Sequence, residues 1–263
     1  MTAYHSKKAD ENGIIHYDTK ENATWAKLYA RQSKIIASRA CEEYIQGVQA
    51  LHLPRDKIPQ LTEVNQHLLP LTGWQVVQVP ALIGYDKFFH LLANRQFPAA
   101  TFIRTPTEID YLQEPDIFHE VFGHCPLLTN KVYADFMQAY GKLGEQADEY
   151  QKRMLARLYW FTVEFGLINS SAGLRIYGGG ILSSMGETPY SLESALPQRR
   201  DLNVIDALRT PYRIDIFQTV YFVIDDFQEL FELVNTNLFD AIAYAKKLGE
   251  FPATYPGKSE RVA

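Results

Sequence analysis

The sequence predicts a single, mainly α-helical domain with a few short β-strands. Three observations predict it. Apolar residues recur at helical spacing over long segments, from Thr24 to Leu51, Ala147 to Ile168 and Asp226 to Leu248. Segments of strand character are short and few, Trp74 to Val79 and Ile216 to Ile224 being the clearest. No internal repeat, low-complexity tract or linker divides the 263 residues, a length that one large core can serve.

Residues 1–22 are polar and mixed in charge and read as a flexible N-terminal arm; the domain spans 23–250, and 251–263 form a Pro- and Gly-containing tail. From Trp25 through Leu28, Tyr29, Ile36, Tyr44 and Val48 to Leu51 the apolar positions keep helical register. Pro54 and Pro59 interrupt it, and Thr62 is placed to cap a short helix to Leu69. Trp74 to Val79 holds β-branched residues and stops at Pro80, as a short strand does. A compact helix with Phe88, Phe89, Leu91 and Leu92 follows, from Asp86 to Arg95. Thr101 to Arg104 reads as a short strand, and Thr105 to Pro115, with two prolines, as a loop.

Asp116 is placed to accept from free N–H groups in the first turn of the next helix. Pro126, which lacks a donor, stops that helix. Thr129 is placed to cap another helix, to Leu143, and the helical pattern from Ala147 to Ile168 takes in Glu164. Leu174 to Leu182 reads as a strand interrupted by Gly178, Gly179 and Gly180, where a bend or a close backbone approach is expected. The strand at Ile216–Ile224 and the helix at Asp226–Leu248 complete the order.

Composition narrows the function. The chain is 46% hydrophobic and 22% charged, ordinary for a soluble globular protein. No apolar run approaches the roughly 20 residues that span a bilayer, and no apolar h-region marks a secretory signal. A net charge of -5, with no large basic cluster, speaks against nucleic acid as a partner. Cys41 and Cys125 alone make no disulfide framework. A reduced, cytoplasmic protein without membrane partners is expected.

The chemistry concentrates in Glu114–Pro126, which packs His119, His124 and the carboxylates Glu114, Asp116 and Glu120 into thirteen residues. Forty residues after His124, Glu164 stands among Trp160, Phe161, Val163, Phe165 and Leu167. A carboxylate buried in such company is costly unless paired or bound to metal. Two histidines and one acid form the ligand set of non-haem iron oxygenases, which leaves positions open for oxygen. On a straight α-helix, residues five apart diverge by roughly 140°, against roughly 40° for residues four apart. Gly123 and Pro126 allow the helix to end or distort at His124, which removes that obstacle.

The order His-Glu-x-x-x-His misses the zinc-protease helix, His-Glu-x-x-His, by one residue, and disfavours a zinc hydrolase. Spacing alone leaves other readings open: a solvent-facing Glu164, or one paired with Arg157, and two hydrogen-bonded histidines in a metal-free binding module. His5, His16, His52, His67 and His90 lie in polar or amphipathic contexts and read as surface or structural. Gly178–Gly180 is followed by no Lys-Ser or Lys-Thr and opens no Gly-x-Gly-x-x-Gly helix, which disfavours a nucleotide loop. Backbone passing close to a bound small molecule fits better. Ser183 and Ser184 are placed either to donate to metal ligands or to serve as turn residues.

Three segments taken together, Pro115–His124, Tyr159–Gly166 and Tyr177–Ser184, resemble the pterin-dependent aromatic amino acid hydroxylases, most closely the bacterial members that act on phenylalanine. The resemblance covers Thr72 to Phe227 well and the N-terminal helix more loosely. It implies that family's single-domain catalytic fold over 23–250, with Fe(2+) held by His119, His124 and Glu164. It also implies a tetrahydropterin, tetrahydrobiopterin or a relative, against Leu82, Phe88, Glu120 and Tyr159, with Phe88 stacked on its ring. Arg104 would pair with the substrate carboxylate, while Tyr111, Asp116, Trp160, Gly180 and Ser183 would line the amino acid pocket or support the iron ligands.

The implied reaction is hydroxylation of L-phenylalanine to L-tyrosine with O2, for catabolism or for tyrosine supply. The same chemistry on tryptophan or tyrosine is the nearest alternative. Leu112 and Gln113 replace a Thr-Pro pair of the animal members, so details of the pocket carry over less directly. The regulatory domain and coiled-coil segment of those members are not matched, which implies a monomer or weak dimer.

Overall fold

The computed structural model describes residues 4–110 and 114–256. Helix α1 (Thr19–Ile36) starts at a reciprocal cap: Asp18 accepts from the Lys20 and Glu21 amides, and Glu21 reaches back to the Asp18 amide. The helix therefore begins inside the stretch read as an arm. That stretch is also tied to the body, for Ser6 donates to the Val79 carbonyl at 2.6 Å and Tyr17 to the Thr101 carbonyl at 2.9 Å. The Cys41 amide donates to the Ile176 carbonyl, which splits the expected long helix and starts α2 (Glu42–Leu51) afresh.

Helix α3 (Leu61–Thr72) is capped by Gln60 and Glu63 rather than Thr62. Strand β1 (Gln75–Gln78), helix α4 (Tyr85–Ala93) and strand β2 (Gln96–Ala99) form a parallel pair with its crossover. The second strand lies upstream of the expected Thr101–Arg104. There the backbone is engaged elsewhere, the Phe102 carbonyl with the Ile117 amide at 2.8 Å and the Thr101 amide with Ser6 at 2.9 Å.

Residues Phe118–His124 are wound as a π-helix and run into a 3-10 turn, Cys125–Thr129. Helix α5 (Lys131–Gln146) is capped by Asn130, because Thr129 spends its hydroxyl on the Pro126 carbonyl. Helix α6 (Glu149–Tyr159) passes into a second π-wound turn, Trp160–Glu164, and stops. Leu167 and Ile168 belong instead to β3 (Leu167–Ser170), which hairpins with β4 (Gly173–Ile176).

The glycines expected to bend a strand open a short helix, α7 (Gly179–Leu182). Helix α8 (Glu187–Glu193), strand β5 (Gln198–Asp201) and helix α9 (Val204–Arg209) fill a stretch whose sequence shows no clear periodicity. Strand β6 (Val220–Ile224) follows, shorter at its start than expected. Asn237 accepts from the Asp240 amide and divides the last pattern into α10 (Phe227–Asn235) and α11 (Leu238–Leu248).

The main sheet has the order β4-β3-β6-β5, with the entirely buried β6 parallel to both neighbours. The remaining elements are largely helical, in line with the mainly α expectation. Among the described residues no helix is long and apolar enough to cross a membrane.

The π-wound segment has two faces. Phe118 and Phe122 stack on each other with centroids 4.7 Å apart, and meet Trp25 and Tyr29 edge-on. Burying two such rings stabilises the fold by about 1.5–3 kcal/mol each. Another face carries His119, which lines a cleft, with the buried His124 beside it.

Candidate metal centre and cofactor cleft

The i→i+5 winding brings residues five apart onto one face of the segment, where an α-helix would splay them. His119 Nε2 and His124 Nε2 lie 3.2 Å apart. The sequence assigned this convergence to a helix ending at Gly123 and Pro126; the structure assigns it to π winding over the whole of Phe118–His124. Gly123 serves instead for close approach. A Cβ there would stand 2.6 Å from the Gly179 carbonyl oxygen, so only glycine lets α7 lie against the segment.

Glu164 closes the triangle from the second π-wound turn, which the Phe165 amide fastens to the Trp160 carbonyl at 2.9 Å. Its carboxylate oxygens stand 3.3 Å from His124 Nε2 and 3.7 Å from His119 Nε2. Donors at ordinary ligand distances of about 2.0–2.2 Å, held at right angles, lie about 3 Å apart, so this set fits one cation with an open face. The alternative pairing of Glu164 with Arg157 does not occur, since Arg157 bonds Glu250 and the Leu208 carbonyl.

Glu120 also comes near: ligand atoms of His119, Glu120 and His124 all lie within 4.8 Å of one another. The Glu164 oxygens stand 3.3 and 3.7 Å from the two Nε2 atoms, so both carboxylates are candidates by distance. Their electrostatics differ. Burial pushes the Glu120 carboxyl well up, and Glu164 and Asp116 add to it. Burial also pushes Glu164 up, but the two histidines outweigh it and hold that carboxyl below its ordinary value. Burial lowers His119 to about 4, leaving a neutral ring suited to ligation.

Ser183 fixes the His119 ring. Its hydroxyl donates to the Gly179 carbonyl at 2.9 Å, so at the 2.9 Å contact with His119 Nδ1 it accepts. That places the His119 proton on Nδ1 and turns the Nε2 lone pair to the site. Ser183 accepts from this ligand, where the sequence expected a donor. The His124 ring lies against Gly179 and Phe97, and its Nδ1 is buried without a hydrogen-bond partner among the described residues.

Beside the three donors opens a cavity of about 680 Å³. Leu82, Phe88, Glu120 and Tyr159 line it, with Phe88 edge-on to Tyr159 at 5.2 Å. Arg104, Trp160, Gly180 and Ser183 also line it. Arg104 is not free: its Nε and Nη2 grip both oxygens of Asp116 at 2.8 and 2.9 Å. Asp116 is fully buried behind it and does not reach the cavity; it accepts from the His119 amide at 3.0 Å, which is the expected cap. Tyr111, and with it Leu112 and Gln113, lies outside the described residues.

Sequence reasoning missed several wall residues, among them Phe97, Glu187, Ile214, Phe217 and Gln218. Ile214–Gln218 belong to an irregular loop before β6, and no local pattern marks such a loop as part of a cleft.

The sequence model of the family described as "Biopterin-dependent aromatic amino acid hydroxylase" matches residues 1–245. The chain is 52% identical over 257 residues to the phenylalanine-4-hydroxylase of Pseudomonas aeruginosa, covering 98% of each. It is similar to the solved phenylalanine hydroxylase of Legionella pneumophila, with a TM-score of 0.93, 49% identity, and 95% of this chain and 100% of that one covered. It is also similar to the Chromobacterium violaceum phenylalanine hydroxylase solved with bound Fe(III), with a TM-score of 0.89 and 44% identity over 95% of this chain and 94% of that one.

Proposed function

Because the chain belongs to the biopterin-dependent aromatic amino acid hydroxylase family, we propose that His119, His124 and Glu164 hold its iron, with the adjoining cavity taking pterin and substrate. The protein is an iron- and pterin-dependent monooxygenase that hydroxylates phenylalanine to tyrosine with O2. The observation that carries the site assignment is the convergence of three donors from two π-wound turns, 3.2 to 3.7 Å apart.

Iron and reduced pterin, when bound, supply the redox chemistry that activates oxygen. The chain's own residues position and shield. His119 and His124 would present their Nε2 lone pairs and Glu164 its carboxylate, which leaves the face toward the cavity open. Phe88 and Tyr159 offer ring surfaces to a planar pterin, and the Glu120 carboxyl, which lines the same cavity, offers it a hydrogen-bonding partner.

On the amino acid side, Asp116 occupies the Nε and Nη2 edge of Arg104, so Nη1 remains to meet a substrate carboxylate. Trp160, packed between Phe165 and Tyr212, gives the substrate ring an apolar wall that excludes water. Cys41 and Cys125 are both free and buried, and burial pushes their thiols up, Cys41 to about 12, so neither takes part. The proposal extends to a cytoplasmic enzyme working as a monomer or weak dimer, which size-exclusion chromatography tests.

The decisive assay mixes purified protein with ferrous iron, a tetrahydropterin, O2 and phenylalanine, tryptophan or tyrosine in turn. Tyrosine formation from phenylalanine, abolished by His119→Ala, is expected. Full activity of His119→Ala would overturn the iron site.

A further inference from the structure

Beside Trp160, and itself part of the cavity wall, Gln218 forms a hydrogen-bonded hub. Gln218 is buried, and each of its side-chain atoms capable of hydrogen bonding is engaged. Its Oε1 accepts from the Trp160 indole N–H at 3.0 Å. Its Nε2 donates to the carbonyls of Arg213 and Ile216 at 2.8 and 3.2 Å. The amide cannot be reversed, since that would set oxygen against two carbonyls and NH2 against an indole N–H. Its backbone amide is anchored in turn, donating to Glu187 at 2.9 Å, and Glu187 also accepts from the Tyr221 hydroxyl.

Two parts of the cavity wall meet at this side chain. One is Trp160, which opens the turn that ends in Glu164. The other is the loop carrying Ile214, Ile216 and Phe217. We propose that Gln218 is a positioning residue for the amino acid substrate, fixing the Trp160 ring and the 213–217 loop relative to each other. It acts from outside the reacting atoms. A hydrophobic replacement would leave an indole N–H and two carbonyls unpaired, and the ring would lose its set angle. The Gln218 side chain bonds to Trp160 and the 213–216 backbone and not to the pterin-facing Phe88 or Tyr159, so the larger effect is expected on the amino acid.

This inference rests on the amino acid binding at Trp160. The test uses iron-loaded, full-length protein in four forms: wild type, Gln218→Leu, Trp160→Phe and the double variant. Thermal unfolding is followed alongside steady-state kinetics. Gln218→Leu is expected to raise KM for phenylalanine about tenfold and to leave KM for the tetrahydropterin within about twofold. The two substitutions should be non-additive in kcat/KM, because both break one hydrogen bond. Equal rises in both KM values, additive effects, or an unchanged phenylalanine KM would overturn the proposal.

If Gln218→Leu fails to fold, Gln218→Glu serves. It keeps the acceptor toward Trp160 and, when ionised, loses both donors. A phenylalanine KM that climbs with pH relative to wild type supports the positioning role, and a parallel profile overturns it. Wild-type protein that forms no tyrosine would sink the proposed function itself, an outcome distinct from a failure confined to Gln218.

Discussion

Gly179 lies flat against the His124 imidazole, so close that a Cβ there would stand 2.4 Å from both Nδ1 and Cε1. Backbone fills the space behind the ring, and a methyl at 179 must displace either the imidazole or α7. Gly179→Ala is expected to destabilise the fold by about 1–3 kcal/mol and to weaken Fe(2+) binding about tenfold or more. Metal titration beside thermal melts reads both, and a variant with undiminished iron affinity would contradict the packing account.

Ser183→Ala removes the acceptor for His119 Nδ1 while leaving the cavity nearly unchanged in shape. The ring would then rotate and change tautomer freely. A loss of about 10–100-fold in iron affinity is expected, with the melting temperature hardly moved. Ser183→Thr retains the hydroxyl and should recover part of the loss.

Asp116 and Arg104 form a buried bidentate pair. Burial would raise the Asp116 carboxyl, but the Arg104 charge and hydrogen bonds outweigh it and hold the carboxyl below its ordinary value. A depressed folded value means stability that is present above the unfolded pKa of about 3.9 and lost as pH falls through the folded one. Asp116→Asn should therefore lower stability at neutral pH by about 3–5 kcal/mol and flatten the acid limb of the stability profile. Denaturant titrations from pH 3 to 7 test it; parallel profiles would speak against the pair.

Glu187 behaves in the opposite sense. Burial, only partly offset by the Tyr221 hydroxyl and the Gln218 amide, pushes its carboxyl up to about 7. Its contribution is then fully present below the unfolded pKa of about 4.3 and lost as pH rises toward 7, a change on the order of 3 kcal/mol. Glu187→Gln cannot ionise, so its stability relative to wild type should grow from pH 5 to pH 7 and level off above. A constant difference across that range would remove the shift.

The candidate metal residues were legible as a group, His119, His124 and a carboxylate in an aromatic run, although spacing left metal-free readings open until the resemblance was added. Their geometry was not. Apolar periodicity distinguishes a helix from a strand, but it does not distinguish i→i+4 from i→i+5 bonding, so the first π-wound turn was read as a helix ending or distorting at His124 and the second as ordinary helix. At Gly178–Gly180 the expected close backbone approach occurs, but the element was misread for a related reason. Glycine is needed at 179 by the His124 ring packed against it, a tertiary demand, and the local pattern suggested a bent strand. The cap at Asn237 was visible in the sequence, yet the continuous apolar pattern across it hid the break between α10 and α11. The loop before β6 carried no signal of its own, and its part in the cavity comes from Gln218 reaching Trp160 across 58 residues.

A π-wound turn holds one residue more than an α-turn. Excising any one residue between Glu120 and His124 would leave His-Glu-x-x-His, the order of the zinc-protease helix. The two signatures differ here by a single-codon insertion rather than by any exchange of side chains. The extra residue lengthens the chain without lengthening the helix, and the slack is taken up as wider winding at the place where the imidazoles must meet.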